Sequence, residues 1–99
     1  MSSLTPALRR LRDLVLVRSP TLWRYWPFLP VLRPHPSGEA QELGVLYDAR
    51  RASGRYGFSA TVWVTNLFLL PATEEALLAL PRHVYDTVEE LVDAGWTAD

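Results

Sequence analysis

The sequence of 99 residues contains no cysteine. This absence excludes disulfide bonds, thiolate zinc sites, iron–sulfur clusters and a cysteine nucleophile. Histidine is scarce as well, with only His35 and His83, and the patterns G-x-S-x-G and H-E-x-x-H are missing. No group of histidines and carboxylates has metal-ligand spacing. We therefore expect no metal, no cofactor and no catalytic residue, and we interpret the chain as non-enzymatic.

Common recognition signatures are also missing. The sequence lacks the phosphate-binding loop of nucleotide-binding proteins, and it lacks the RNP, KH, zinc-finger and helix-turn-helix signatures of nucleic-acid-binding domains. Nothing indicates a small-molecule substrate. No leader with a charged, an apolar and a small-residue region opens the chain. Together with the lack of disulfide-forming residues, this predicts a cytoplasmic protein.

The composition is that of an ordinary globular domain. Hydrophobic residues make up 48% and charged residues 21% of the sequence, which argues against disorder along its whole length. A chain of 99 residues fits a single domain. A domain of this size buries a real core but keeps much of its surface exposed.

Charge and proline divide the chain near residue 36. Residues 1–36 carry six arginines and one aspartate, a net +5, whereas residues 37–99 carry four arginines and ten acids, a net −6. Six of the eight prolines lie in the first part, and all five glycines lie after residue 37. We interpret residues 1–36 as a basic, aromatic helix and arm and residues 37–99 as an α+β core, within one domain overall and with a linker around residues 34–38. The uneven charge predicts that the first part meets an anionic partner or folds onto the acidic remainder.

The first part begins with a predicted helix. Thr5 is placed to cap it, Pro6 suits the first helical position, and Ser19-Pro20 ends it. Apolar residues recur at three- and four-residue steps, as on one face of a helix: Leu4, Leu8, Leu11, Leu14 and Val15. A helix with such a face flanked by arginines is compatible with attachment to an anionic membrane surface, which we keep as one alternative function.

The second part has the pattern of a β-hairpin, two short helices and a final strand. Residues 43–49 and 58–65 are the predicted strands of the hairpin, the second because apolar residues occupy every second position. Thr73 is placed to cap the first helix, and capping boxes at Asp86-Thr87 open the second. Residues 96–98 are predicted to form a short strand beside the hairpin. This order of elements predicts a small α+β domain.

The arm is the most unusual segment, with four aromatic residues and an arginine within residues 23–28. Tryptophan and arginine are typical of hot spots in protein interfaces, and a proline-stiffened segment loses less conformational entropy when it docks. We therefore predict an interaction domain, or small accessory subunit of a larger assembly, that binds a protein partner or a second copy of itself. The predicted partner-binding residues are Trp23, Arg24, Tyr25, Trp26 and Phe28. The opposing interpretation is that these rings cover the sheet of their own domain.

The predicted hairpin tip carries a further group of arginines. Arg50, Arg51 and Arg55 surround Ser53 and Gly54, and guanidinium groups together with turn amides can bind a phosphate. With the arm, these arginines are the basis of a second alternative function, nucleic-acid binding. Charged residues at such tips also serve simply to keep the protein soluble, and the formal net charge of −1 is unlike that of most nucleic-acid-binding domains.

Overall fold

The computed structural model describes residues 5–35, 37–38, 40–54 and 60–99. Within these residues the chain forms four α-helices, five β-strands and two 3₁₀ turns. The helices are α1 (Pro6–Arg18), α2 (Ala49–Ser53), α3 (Glu74–Leu78) and α4 (Val88–Asp93). The strands are β1 (Phe28–Pro34), β2 (Gln41–Tyr47), β3 (Thr61–Trp63), β4 (Arg82–Val84) and β5 (Thr97–Ala98). The 3₁₀ turns are at Pro20–Leu22 and Leu67–Leu69.

The first helix forms where its local signals place it. The Thr5 hydroxyl accepts a hydrogen bond from the Leu8 N–H at 3.2 Å, and Pro6 occupies the first helical position. The helix ends at Arg18, two residues before Pro20, as the sequence predicts. α1 has 13 residues, and no helix in the described part of the chain is long and apolar enough to cross a membrane.

The five strands form one antiparallel sheet in the order β4–β3–β2–β1–β5, and the fold is α+β as predicted. β1 and β2 pair along their whole length, from Phe28 opposite Tyr47 to Pro34 opposite Gln41. β3 and β4 extend the sheet beyond β2, and β5 adds two residues beside β1. Each connection after the one between β1 and β2 contains one short α-helix.

The aromatic arm leads directly into a strand of this sheet, since Phe28 is the first residue of β1. We predicted the α+β core within residues 37–99, and instead β1, which comes from the first part of the chain, lies between β2 and β5. Pro30 and Pro34 lack the N–H that a central strand normally contributes. They are accommodated because β5 pairs with Val31 and Leu32, and Pro30 contacts the next residue through its carbonyl, which accepts a hydrogen bond from the Asp99 N–H at 3.0 Å.

The stretch that we interpreted as a linker joins β1 to β2. The His35 N–H donates to the Ala40 carbonyl at 2.8 Å, and the Gly38 N–H donates to the His35 carbonyl at 2.8 Å. Gly38 has a φ of +76°, a left-handed conformation that glycine adopts without strain. The change in composition near residue 36 therefore coincides with the turn of a hairpin whose two strands come from either side of it.

One face of the sheet is covered by α1 and α4. Its side chains form a continuous buried cluster with these helices: Leu14, Val17, Trp23, Leu29, Val31, Leu46, Val62, Leu91, Val92 and Trp96. Gly44 of β2 lies on this face, where an added Cβ would overlap Val62 and lie 3.3 Å from Trp96. The absence of a side chain at Gly44 therefore makes room for both neighbours.

The opposite face is covered only in part. α3 closes over a second buried cluster on β2 and β3, which consists of Val45, Tyr47, Ala49, Trp63 and Leu77. The Tyr47 hydroxyl donates to a carboxylate oxygen of Glu74 at 2.5 Å and so connects β2 to α3. Further along the same face of β2, Leu43 is 39% exposed. The cover therefore stops short of this end of the strand.

The outer edge of β5 is occupied by side chains from α1. Asp13, which is 3% exposed, accepts hydrogen bonds from the Ala98 N–H at 3.1 Å and from the Arg12 guanidinium at 3.0 Å. Arg12 also donates to the Thr97 hydroxyl at 3.0 Å and to the Ala98 carbonyl at 3.4 Å. We expected the last strand to lie beside the hairpin of β2 and β3; it lies beside β1 instead, where α1 supplies its outer partners.

Part of the uneven charge of the chain is balanced within the domain. Arg10 pairs with Asp93 at 2.8 Å, and Arg18 pairs with Glu89, so α1 is bound to acidic residues of α4. The hydrogen bond from Arg10 lowers the pKa of Asp93 below its ordinary value. Of the two interpretations of the charge pattern, folding onto the acidic remainder is therefore observed.

The remaining elements follow their predicted caps, with one exception. The hydroxyls of Thr73 and Thr87 accept hydrogen bonds from the third residues of α3 and α4, at 3.1 Å in each case. The exception is the connection from β2 to β3, which we predicted as a hairpin tip. It contains α2, followed by Gly54 with a left-handed φ of +78°. The predicted strand over residues 58–65 is shorter, because β3 spans Thr61–Trp63 and residues 55–59 lie outside the described part.

Candidate partner-binding surface

The structure divides the predicted arm into inward and outward residues. Trp23 is 7% exposed, belongs to the first buried cluster, and donates from its Nε1 to the Leu16 carbonyl at 2.6 Å. Phe28 is half-buried and stacks on Tyr47, with 5.3 Å between the ring centroids. For these two rings, the opposing interpretation describes the structure: they cover the sheet of their own domain.

Of the four residues between them, Arg24, Tyr25 and Trp26 lie on the surface. The Trp26 N–H donates to the Trp23 carbonyl at 3.2 Å, a turn that leaves Trp23 in the core and the following side chains outside. Tyr25 is 44% and Trp26 is 46% exposed. The Arg24 guanidinium lies 5.5 Å from the centroid of the Tyr25 ring, and the Trp26 Nε1 donates to Asp48 at 2.8 Å. Arg24, Tyr25 and Trp26 are therefore the members of the predicted site that a partner can reach.

A groove of about 310 Å³ opens beside Tyr25, on the partly covered face of the sheet. Pro30 of β1 and Leu43 of β2 contribute apolar surface from the sheet, and the rings of Tyr25 and Phe68 stand at its sides. Concave apolar surface with a few polar groups at its margin is typical of binding sites. The exposed arm residues Arg24, Tyr25 and Trp26 and this groove together form the surface that we call the arm groove.

Phe68 is exposed because of the local structure around it. It lies in the 3₁₀ turn at Leu67–Leu69, and its N–H donates to the Asn66 side chain at 2.9 Å. In this turn Leu67 packs against the second buried cluster, whereas Phe68 is 83% and Leu69 is 76% exposed. Phe68 was not among the site residues predicted from the sequence, where it lies within the continuous apolar run of residues 67–70. The one signal in the sequence was Asn66, a residue that favours turns and interrupts the strand pattern.

The arm groove carries one side chain of each charge. Arg24 and Asp99 both contribute to its lining. Neither forms an ion pair with any residue that the structure describes. Chemically, the site can therefore take an apolar or aromatic side chain between Tyr25 and Phe68 and pair with a charge of either sign at its margin.

The arginines of the predicted hairpin tip are only partly described. Arg50 lies in α2 and is exposed. The side chain of Arg51 and all of Arg55 lie outside the described residues. Anion binding by these three residues therefore stays a prediction.

A group of polar side chains that was not predicted from the sequence joins three strands on the helix-covered face. It consists of Arg33, Glu42 and His83. The Arg33 Nε donates to Glu42 at 2.6 Å, its Nη2 lies 3.4 Å from the His83 Nε2, and its guanidinium carbon lies 4.5 Å from the centroid of a Trp96 ring. Burial raises the pKa of Glu42, but the hydrogen bond and charge of Arg33, with smaller contributions from His83 and His35, outweigh it, so this pKa lies below its ordinary value.

The position of this group indicates a structural role. Arg33 also donates to the Ala94 carbonyl at 3.4 Å, just beyond the end of α4, and so connects β1, β2 and β4 to that helix. The sequence contained no signal for it, because its members come from separate strands and meet only in the folded sheet. Among the described residues, no three histidine or carboxylate side chains converge as metal ligands.

Comparisons of the chain with protein-family models, with characterised proteins and with solved structures found no match. The function is therefore inferred from the geometry of the surface.

Proposed function

We propose that the protein is a non-catalytic protein–protein interaction domain that docks through the arm groove. The observation that supports this most directly is the concentration of exposed rings around one apolar groove. Tyr25 and Phe68 line the groove, and Trp26 follows Tyr25 in the sequence. Each of these rings is large enough to contribute to a core, yet all three are exposed. Exposed apolar surface gathered in one place, rather than scattered singly, is characteristic of interaction sites.

The residue types of the arm groove also suit a protein partner. Aromatic residues and arginine dominate the energetics of protein interfaces, because they bury large areas with few rotatable bonds or form several hydrogen bonds. Arg24 is already oriented by its contact with Tyr25, and Trp26 by its hydrogen bond to Asp48, so both have less freedom to lose on binding. The domain would serve as an accessory subunit of a larger assembly, and a cytoplasmic location stays a prediction.

The test is site-specific photo-crosslinking in the cells that make the protein. A photoreactive phenylalanine analogue would replace Tyr25 in one variant and Phe68 in another. The matched control carries the same analogue at Asp86, an exposed residue next to α4 on the opposite side of the sheet. We expect a discrete covalent adduct from both groove positions and none from Asp86.

The adduct must also depend on the groove itself. With the analogue kept at Phe68, replacing Tyr25 by serine should reduce the yield several-fold. Equal yields from the groove positions and from Asp86, or a yield that does not respond to Tyr25→Ser, would overturn the proposed function.

One observation favours a second candidate, attachment to a membrane surface through α1. The predicted apolar face of this helix is divided in the structure: Leu14 is buried, whereas Leu8, Leu11 and Val15 are 51%, 57% and 48% exposed. The charge around this stripe is weaker than the sequence indicates, because Arg10 and Arg18, the two arginines paired with α4, are neutralised there.

Vesicle flotation distinguishes the two candidates. If α1 binds membranes, the protein floats with anionic vesicles and not with neutral ones, and Leu11→Gln abolishes flotation while Phe68→Gln does not. Absence of flotation with anionic vesicles excludes the second candidate. Nucleic-acid binding has no comparable support among the described residues and stays a prediction.

A further inference from the structure

We infer that the occupant of the arm groove is a second copy of the same chain, with Phe68 of each copy inserted into the groove of the other. This inference rests on the proposed function and gives its partner. It is supported by three properties of the surface: a projecting ring next to a cavity, two charges of opposite sign that form no ion pair with another described residue, and an apolar area that suits a weak dimer.

The first property is the shape of the surface. Phe68 lines the groove, yet 83% of the residue is exposed, so most of its ring projects beyond the groove wall. A two-fold axis brings the same patch of both copies together. The projecting ring of each copy then enters the cavity of the other. The groove, of about 310 Å³ and lined by Tyr25 and Leu43 among others, has room for one phenylalanine ring.

The second property is charge. Arg24 and Asp99 contribute to the same groove, and neither pairs with another described residue. In a two-fold arrangement, Arg24 of one copy faces the part of the partner that carries Asp99, and the reverse contact is formed at the same time. The groove is thus complementary to itself in charge as well as in shape.

The third property is area. The exposed parts of the large apolar side chains in and next to the groove amount to roughly 430–720 Å² per copy, if a complete large side chain is taken as about 150–250 Å². The residues counted are Tyr25, Trp26, Leu43, Phe68 and Leu69. A standard interface buries about 800 Å² per partner, and weak, transient complexes lie below it. We therefore expect a reversible dimer that forms with increasing concentration.

The main experiment is sedimentation equilibrium of the full chain over a wide concentration range. The wild-type protein should show a monomer–dimer equilibrium without higher species. Phe68→Ala should raise the dissociation constant at least about tenfold, as expected for the central residue of an interface. The matched control is Val84→Ala: Val84 is 67% exposed on the edge strand β4, outside the groove, and its removal should leave the dissociation constant unchanged.

Charge exchange tests the orientation of the two copies. Arg24→Asp and Asp99→Arg should each weaken the dimer several-fold at low salt, since each leaves two like charges facing across the axis. The double variant should recover most of the affinity. Failure of the double variant to recover any affinity, or equal effects of Val84→Ala and Phe68→Ala, would overturn this arrangement.

The outcome also separates this inference from the proposed function. A chain that is monomeric at every concentration disproves the second-copy inference, but the proposed function stands if Tyr25 and Phe68 still crosslink to a different protein in cells. Monomers without a groove-dependent adduct contradict both. Far-UV circular dichroism checks that each variant is folded, and Phe68→Ala should pass because the side chain is mostly outside the core.

Discussion

The two faces of the sheet differ in how completely they are covered. On one face, α1 and α4 enclose a buried cluster that includes residues of β1, β2 and β3. On the other face, α3 and the turn at Leu67–Leu69 cover the part around Tyr47 and Trp63, and Leu43 is left 39% exposed. The same strands thus supply a finished core on one side and an open apolar groove on the other.

Helix length explains this difference. The five residues of α3 span about 7.5 Å, whereas the seven residues of β2 span about 23 Å. The 13 residues of α1 span about 20 Å and, together with α4, reach along the covered face. The short helix α3 does not reach the end of β2, and Leu43 is therefore left partly exposed. The uncovered remainder is where a partner gains most by docking.

The largest expected effect separates two tryptophans of the same arm. Trp23→Ala removes a buried ring and its hydrogen bond to Leu16, and it should cost about 3–5 kcal/mol of unfolding free energy. Trp26→Ala removes a half-exposed ring and one hydrogen bond, and it should cost about 1 kcal/mol. Urea denaturation of both variants measures the difference. Similar losses in the two variants would contradict the division of the arm into buried and exposed halves.

A smaller loss is expected from adding one methyl group to the covered face. In Gly44→Ala the new Cβ overlaps Val62 and lies 3.0 Å from the Trp63 carbonyl, and overpacking of this kind costs about 1–3 kcal/mol. Leu43→Ala, one residue away on the open face, is the control and should cost less than Gly44→Ala, because Leu43 is already partly in water. Urea denaturation decides the order, and a reversed order would mean that the open face carries more of the stability.

The third expected effect concerns pH. Because the pKa of Glu42 is lowered in the folded state, its pair with Arg33 stabilises the fold above the unfolded-state pKa, and this contribution is lost as the pH falls through the folded-state pKa. Stability measured between about pH 5 and pH 2 should therefore decrease less steeply in Glu42→Gln than in the wild-type protein. Arg33→Gln should flatten the curve similarly. An unchanged slope in both variants would show that the acid response arises elsewhere, for example at Asp93, whose pKa is also lowered.

The smallest expected effect on stability is that of Phe68→Ala. Its ring is 83% exposed, so the free energy of unfolding of the monomer should change by less than about 0.5 kcal/mol. Thermal denaturation at the lowest practical protein concentration measures this value without a contribution from association. A loss comparable to that of Trp23→Ala would place Phe68 in the core and would remove the basis of the arm groove.

Much of the local structure could be predicted from the sequence. The bounds of α1 follow from Thr5, Pro6 and Pro20, and the starts of the last two helices follow from Thr73 and Thr87. In each case a hydroxyl or a proline ring acts on backbone groups within a few residues, so the cause lies in the sequence itself.

What could not be predicted depends on contacts between distant residues. Nothing near Pro30 indicates that it will only accept a hydrogen bond, from the distant Asp99 N–H, and so β1 was not recognised as an inner strand. The arm groove joins Tyr25 to Phe68 across 43 positions of sequence, and which half of the arm is buried depends on where α1 ends. Composition identified the arm as unusual, but it could not distinguish Trp23 from Trp26.

The side chains that α1 places along β5 have a consequence for assembly. Asp13 accepts from the Ala98 N–H and Arg12 donates to the Ala98 carbonyl, so this border of the sheet offers an approaching strand no free backbone groups at Ala98. At the opposite border, no described strand lies beyond β4, and a strand from another molecule would be added there. If only one edge of a sheet can accept a further strand, two molecules can pair through that edge, and no third molecule can then be added. The fold therefore resists growth into fibrils by strand addition while tolerating a single pairing.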